Sequence, residues 1–292
     1  MGKKWKSNFL KMKMVPALNF SINQKLLFCV LLFCYSCATQ ATSIVDSSSY
    51  DLVKTIDQKA KAFTTDKLGQ LYLVTEKNEV IKYDPNGVEM FRFNNNRLGN
   101  LQHIDATDPF NVLLYYSDYL TVITLDRTLN QTLDFDLINL NLLEVKAIGM
   151  SNDNNVWLYD EVTFKLRKVD RKGQVLIESD QLNMRLFYTP NPNFILEREN
   201  TVYVNNPETG ILVFDIYGKY IKTLDFKGLD DFQVFNKQLI FREGEKLQSF
   251  YLQPLVLQTL ELPSGTEKED KIRIQKNRLF VKKADQVMIY KF

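Results

Sequence analysis

The chain has 292 residues, with 37 Lys and Arg, 35 Asp and Glu, one His and three Cys. Its charge is lopsided, because residues 1–37 hold six Lys (Lys3, Lys4, Lys6, Lys11, Lys13, Lys25) and no acid. Removing those six leaves 31 basic residues against 35 acids, a net charge of −4, which argues against nucleic acid as a partner. Cys29, Cys34 and Cys37 all lie in the same opening, so the rest of the chain has no thiol for a disulfide, a metal or nucleophilic attack.

The first element in chain order is an address. The basic opening leads into an apolar run from Leu26 to Ser36, the length of a secretory signal core and well short of the roughly 20 residues a membrane span needs. Residues 1–36 therefore read as a signal peptide, with Met12 and Met14 as alternative starts to Met1. The run ends in Ser36-Cys37-Ala38, which resembles the lipobox of bacterial lipoproteins, although Cys34 stands where that pattern has an aliphatic residue. The resemblance implies that the Cys37 thiol receives diacylglycerol and that Cys37 becomes the mature N-terminus. Cleavage after Ala38 or Ala41, releasing a soluble protein, is the competing reading. Residues 37–49 are small and polar, the composition of a flexible tether. Residues 50–292 remain for one large all-β domain.

That domain repeats. A short apolar run, a turn, a second apolar run and then Asp-x-x-Gly recurs as Leu71 to Val74 with Val80 to Gly87, Val156 to Tyr159 with Val169 to Gly173, and Val202 to Val204 with Val213 to Gly218. A further copy keeps Val112 to Tyr116 and Leu125-Asp126 but has Leu129 in place of Gly. Two more, Leu239 to Phe241 with Phe250 to Leu252 and Leu279 to Val281 with Val287 to Phe292, have lost the Asp. The landmarks at positions 84, 126, 170, 215, 252 and 292 fall 37 to 45 residues apart, the length of four short strands and their hairpins, which is one propeller blade. Runs such as Val112 to Tyr116 are apolar at consecutive positions, so both faces of those strands must be buried, as they are between stacked blades.

The predicted fold is therefore an all-β, six-bladed β-propeller of four-stranded antiparallel blades. Residues 271–276, 279–283 and 287–292 provide only three strands for the sixth blade, while Tyr50 to Ile56 is a strand left over before the first. The N-terminal strand is expected to complete the C-terminal blade and to place the tether at the seam. The blades resemble those of NHL-type propellers, most closely at Asp66 to Leu73 and more loosely at Asn152 to Leu158. That resemblance implies the fold and leaves the function open.

Chemistry-bearing residues are few. His103 is the sole histidine, on the innermost strand of the second blade, and reads as a structural residue because no second imidazole can join it. Asp66, Asp105, Asp108, Asp153, Glu197 and Glu199, with Asn152, Asn154 and Asn155, could in principle hold Ca²⁺ at the inner turns. Hairpin turns favour Asp and Asn regardless, and no Asp-x-Asp-x-Asp-Gly loop is present. Gly-x-Ser-x-Gly, phosphate-loop and Gly-x-Gly-x-x-Gly motifs are missing, so no catalytic residue, metal or cofactor is assigned. The connection from Gln181 to Asn193 is long and rich in aromatics; Leu186 and Phe187 read as cover for an inter-blade core, and Arg185 and Tyr188 as contact residues for a partner. Leu137 to Leu143 reads as a second apolar connection between blades.

The resulting expectation is a non-catalytic lipoprotein adaptor of a diderm bacterial envelope, held by its lipid and docking another envelope protein. Ala38 in place of an inner-membrane-retaining Asp suggests the outer membrane, on its periplasmic face. The alternatives are a metal-dependent propeller hydrolase or lactonase, and a ligand or glycan sensor.

Overall fold

The computed structural model describes residues 50–140 and 142–292. The segments expected to be a signal peptide and a tether, and Cys37 between them, lie outside the described residues. Among those described, six antiparallel four-stranded sheets form, and no helix is long and apolar enough to cross a membrane.

Each sheet is one blade. In the first, β2 (Ala62–Thr65), β3 (Leu71–Val74), β4 (Val80–Tyr83) and β5 (Glu89–Phe93) are neighbours in sequence order. The next four blades repeat this order from the inside outward. The sixth is assembled from both ends of the chain, in the order β1 (Asp51–Ile56), β24 (Val287–Lys291), β23 (Arg278–Lys282) and β22 (Lys271–Gln275). The leftover N-terminal strand thus supplies the missing outermost strand. Because adjacent strands are antiparallel, the first-to-second and third-to-fourth connections share one end of the blades, and the second-to-third hairpins share the other.

Burial follows the sequence of the middle strands. On β7 (Asn111–Tyr116), Val112, Leu114 and Tyr116 pack with Tyr72, Val74 and Val80 of the first blade. Leu113 and Tyr115 point the other way, into a core with Ile148, Val156 and Leu158 of the third blade. One strand therefore serves two inter-blade cores, which is why it carries no polar alternation. Each such side chain contributes about 1.5–3 kcal/mol on burial.

The Asp turns follow one plan. The Oδ1 of Asp84 accepts the backbone N–H groups of Asn86 and Val88 at 2.9 and 2.8 Å, and that of Asp126 accepts those of Thr128 and Asn130 at 2.8 and 2.9 Å. Asp170 and Asp215 do the same in their blades. These turns close the third strand onto the fourth, so their spacing runs from third strand to third strand. The fourth turn residue is left-handed at Gly87 and Gly173 (φ +79°) and at Gly218 (φ +78°), and Leu129 adopts the same conformation at φ +61°.

At the seam, pairing runs from Asp51 opposite Lys291 to Ile56 opposite Val287, with a bulge between Leu52 and Lys54. The Tyr50 ring sits edge-on to Tyr290 and Phe292, with centroids 6.3 and 5.7 Å away, and its hydroxyl donates to the Glu261 carbonyl at 2.8 Å. The Lys54 stem lies so close over Gly87 that a Cβ there would meet it at 2.7 Å. Arg278 bonds the Pro85 carbonyl and the Asn86 side chain, tying the sixth blade to the first.

Leu129 allows strain and burial to be weighed against each other. Glycine there would relieve about 1 kcal/mol of left-handed strain but delete a side chain only 3% exposed, whose loss costs about 2–4 kcal/mol. Leu129→Gly is therefore expected to lower stability by about 1–3 kcal/mol in urea unfolding; an unchanged or raised midpoint would mean that turn strain dominates at this position.

Candidate functional site

The six innermost strands enclose a central cavity of about 680 Å³. Its wall mixes polar and apolar side chains and carries both signs of charge. Arg198 ends β14 (Phe194–Arg198) in the fourth blade, and its Nη2 donates to the Thr107 Oγ1 at 2.7 Å. Thr107 lies on β6 (Leu101–Asp108) in the second blade, so this bond passes the third blade and joins two blades that are not neighbours. Burial pulls the Arg198 guanidinium below its ordinary value, opposed by the field of Asp105. Arg273 is paired with Asp231 at 2.5 Å in the same cavity.

His103, also on β6, lines the channel and is half-buried. Desolvation pulls its imidazole below the ordinary 6.5, while Asp105 and Asp231 push it back up and Arg273 pulls it down further. Its surroundings therefore favour the neutral ring.

The carboxylates singled out as potential calcium ligands act as hydrogen-bond acceptors and ion-pair partners. Asp66 caps its own turn and accepts the Tyr72 hydroxyl at 2.9 Å. Asp105 reaches the next blade to accept the Met150 N–H at 2.8 Å. Asp108 pairs with Lys67 of the first blade at 2.9 Å, and Asp153 with Lys168 at 2.9 Å. Glu197, on the fourth blade, takes three donors from the third: the Ser151 hydroxyl, the Asn152 N–H and the Trp157 indole N–H. Glu199 accepts the Lys237 N–H of the fifth blade at 3.3 Å. Among the described residues, no three His, Cys, Asp or Glu side chains converge as a metal site.

A second feature lies at the rim of the third and fourth blades. Helix α1 (Leu182–Leu186) is anchored by buried Leu182, whose N–H donates to the Phe164 carbonyl at 2.8 Å. Leu186 packs with Ile177 and Tyr220 against the inter-blade core, and the Arg185 guanidinium lies 6.0 Å from the Tyr220 ring centroid. The Tyr188 hydroxyl accepts from the Thr209 Oγ1 at 2.8 Å. Arg185 is exposed and Tyr188 half-buried.

Phe187 corrects the sequence reading. It was expected to cover the core with Leu186, yet it is 95% exposed, and its neighbour Met184 is 69% exposed. The helix ends at Leu186, and Phe187 takes the left-handed cap conformation (φ +61°), which swings its ring outward. The other apolar connection is half as expected: Leu137 and Leu142 are buried, whereas Ile138 and Leu143 face solvent. Neither the Arg198 crossing nor the exposed Phe187 was anticipated. The available signal for Phe187 was a Phe at a helix-terminating position that usually takes Gly or Asn.

Ring, channel and closing strand define the class as a six-bladed β-propeller. No protein-family model matches the chain, and no curated protein does. Among solved structures it is similar to the Pan2 WD40 domain of Neurospora crassa (TM-score 0.58, 9% identity, covering 85% of this chain and 97% of that one). It is also similar to a catalytically inactive virginiamycin B lyase from Staphylococcus aureus with quinupristin (TM-score 0.59, 10% identity, 83% and 99% covered). A third is the Cps50 propeller domain of Myceliophteria thermophila (TM-score 0.57, 9% identity, 83% and 99% covered). Identities this low establish the shared fold and carry no activity across.

Two outcomes follow from this geometry. Glu197→Ala strands two buried donors, the Ser151 hydroxyl and the Trp157 indole, and is expected to cost about 3–5 kcal/mol of stability in urea unfolding, with Glu197→Gln recovering part of it. For His103, a folded-state value below the ordinary 6.5 means that the unfolded chain takes the proton first. Stability from the neutral ring is therefore full above that value and is lost as the pH falls through it toward the lower folded value. His103→Gln should flatten this acid-side slope; an unaltered pH dependence of the urea midpoint would show that the ring does not titrate with folding.

Proposed function

We propose that this protein is a non-catalytic adaptor of the bacterial envelope: exported by residues 1–36, lipidated at Cys37, held at the periplasmic face of the outer membrane and docked to another envelope protein through its NHL-like propeller. The observation that carries the reading is Phe187. It combines a left-handed backbone, which costs about 1 kcal/mol, with an aromatic ring that gains nothing from the fold, where burial would contribute about 2–3 kcal/mol. Both effects oppose stability at one residue, so a role outside the folded chain accounts for its presence. Met184 and Arg185 stand beside it, and Phe, Met and Arg are the residue types enriched at protein interfaces. Tyr188 supports the loop through Thr209 and adds an aromatic to the same segment.

The test is a crosslinked pulldown of tagged protein from its native envelope, with co-purified chains identified by mass spectrometry. A stoichiometric envelope protein is expected, reduced about tenfold or more by Phe187→Asp and by Cys37→Ser while the urea midpoint stays unchanged. Recovery of the anchored protein alone, or a partner indifferent to Phe187→Asp, would count against docking through this segment.

A further inference from the structure

We infer that the corner of the ring at its seam is a bilayer-contacting surface, seated on anionic lipid beside the point where the tether joins. This rests on the lipid-anchor reading above. Residues 38–49 separate Cys37 from Tyr50, so a lipid on Cys37 holds Tyr50 within about 45 Å of the membrane even at full extension. The surface nearest that attachment has the composition of an interfacial contact. Leu52 and Val53 at the start of β1 are 53% and 36% exposed, Val88 is 62% exposed and Phe292 38%. They are neighbours: Phe292 packs on Tyr50, and Val88 directly follows Gly87, over which the Lys54 stem is laid. The bulge leaves Val53 without a partner on β24, which frees it from the pairing register of the sheet edge.

Charge points the same way. Lys54 and Lys291 are exposed at this corner, Asp51 lies opposite Lys291, and Lys276 and Arg278 continue the basic character along the adjoining hairpin. With Arg92, which pairs with Glu89, these make five cations against Asp51, Asp84, Glu89 and Glu261, a slight local excess of cations on a body whose net charge is −4. Basic residues around exposed apolar ones suit a negatively charged lipid surface, where apolar side chains enter the headgroup layer and cations meet phosphates. The Tyr188 loop is tied to the Thr209 hairpin, whereas Phe292 is bonded to Asn277 in a first-to-second hairpin, so the two features leave opposite ends of the blades. The proposed partner face then points away from the bilayer.

The experiment uses the chain from Ala38 onward, which contains every strand of the closed ring and bears no lipid. Its co-sedimentation is measured with vesicles of phosphatidylglycerol and of phosphatidylcholine. Binding to the anionic vesicles is expected, weakened by salt, about tenfold weaker for Leu52→Asp combined with Val88→Asp, and unaffected by Phe187→Asp. These positions are exposed, and matched urea midpoints would confirm that the fold is kept. Absence of binding to anionic vesicles would overturn the proposal, as would binding abolished by Phe187→Asp and indifferent to the seam variants. Self-association without lipid that the seam variants dissolve would assign the surface to a second copy instead. Fatty-acid labelling of Cys37 in the full chain tests the anchor separately: labelling without vesicle binding sinks the surface alone, and vesicle binding without labelling sinks the anchor alone.

Discussion

Everything in this molecule depends on the pairing of β1 with β24. A propeller blade has two faces to bury and finds cover only in its neighbours, so an open ring leaves two blades half exposed. Ile56, Phe63, Leu71 and Leu73 complete a core with Phe280, Val287 and Ile289 only when the first and sixth blades meet. Joining chain segments so remote in sequence costs about 5 kcal/mol in loop entropy, a cost offset by that shared core and by the strand pairing that accompanies it. The seam is consequently reinforced beyond its backbone bonds, through Arg278 on the Pro85 turn and Lys54 against Gly87.

The channel follows from the same closure. Polar side chains from different blades come within bonding distance at the axis, and the ring spends most of them on holding blades together. Glu197 and Asp105 each carry a carboxylate into the neighbouring blade, and Gln233 bonds both backbone groups of Ile274. Arg198 reaches past one blade to the next but one. Four of the groups that look like ligands when read singly along the chain, Asp105, Asp108, Glu197 and Glu199, thus become joints between blades. The site argued for protein contact lies instead on an inserted segment, where no blade geometry dictates the residue.

The ring was legible because its constraints are local or countable. Consecutive apolar residues from Val112 to Tyr116 announce a strand with two dry faces, the Asp turns mark a constant place in each blade, and one strand too few at the end matches one too many at the start. Leu129 shows the limit of the turn signal, since its left-handed backbone is held by the Asp126 bonds and by burial in the adjoining core, with no glycine to advertise it. Contacts between blades around the channel were not legible. Nothing around Thr107 indicates that Arg198 will reach it, because their meeting depends on the diameter of the closed ring. Glu197 was visible as an acid in the apolar run Phe194-Ile195-Leu196, but its partners Ser151 and Trp157 belong to another repeat. Phe187 was misplaced because its direction is set by where a five-residue helix stops.

The seam strand also determines how the molecule bears mechanical load. Tension on the chain ahead of Tyr50 enters β1 at its first residue and peels it from β24 pair by pair, beginning with Asp51 and Lys291, so that the hydrogen bonds break in sequence and never share the force. Peeling is the weaker of the two ways to load a strand, and a tethered ring pulled from this end would be undone at its own closure. Tyr50 stands at the head of that line, clasped by Tyr290, Phe292 and the Glu261 carbonyl. That aromatic clamp gives the zipper a stop, and makes a residue outside every sheet the first to resist when the protein is pulled.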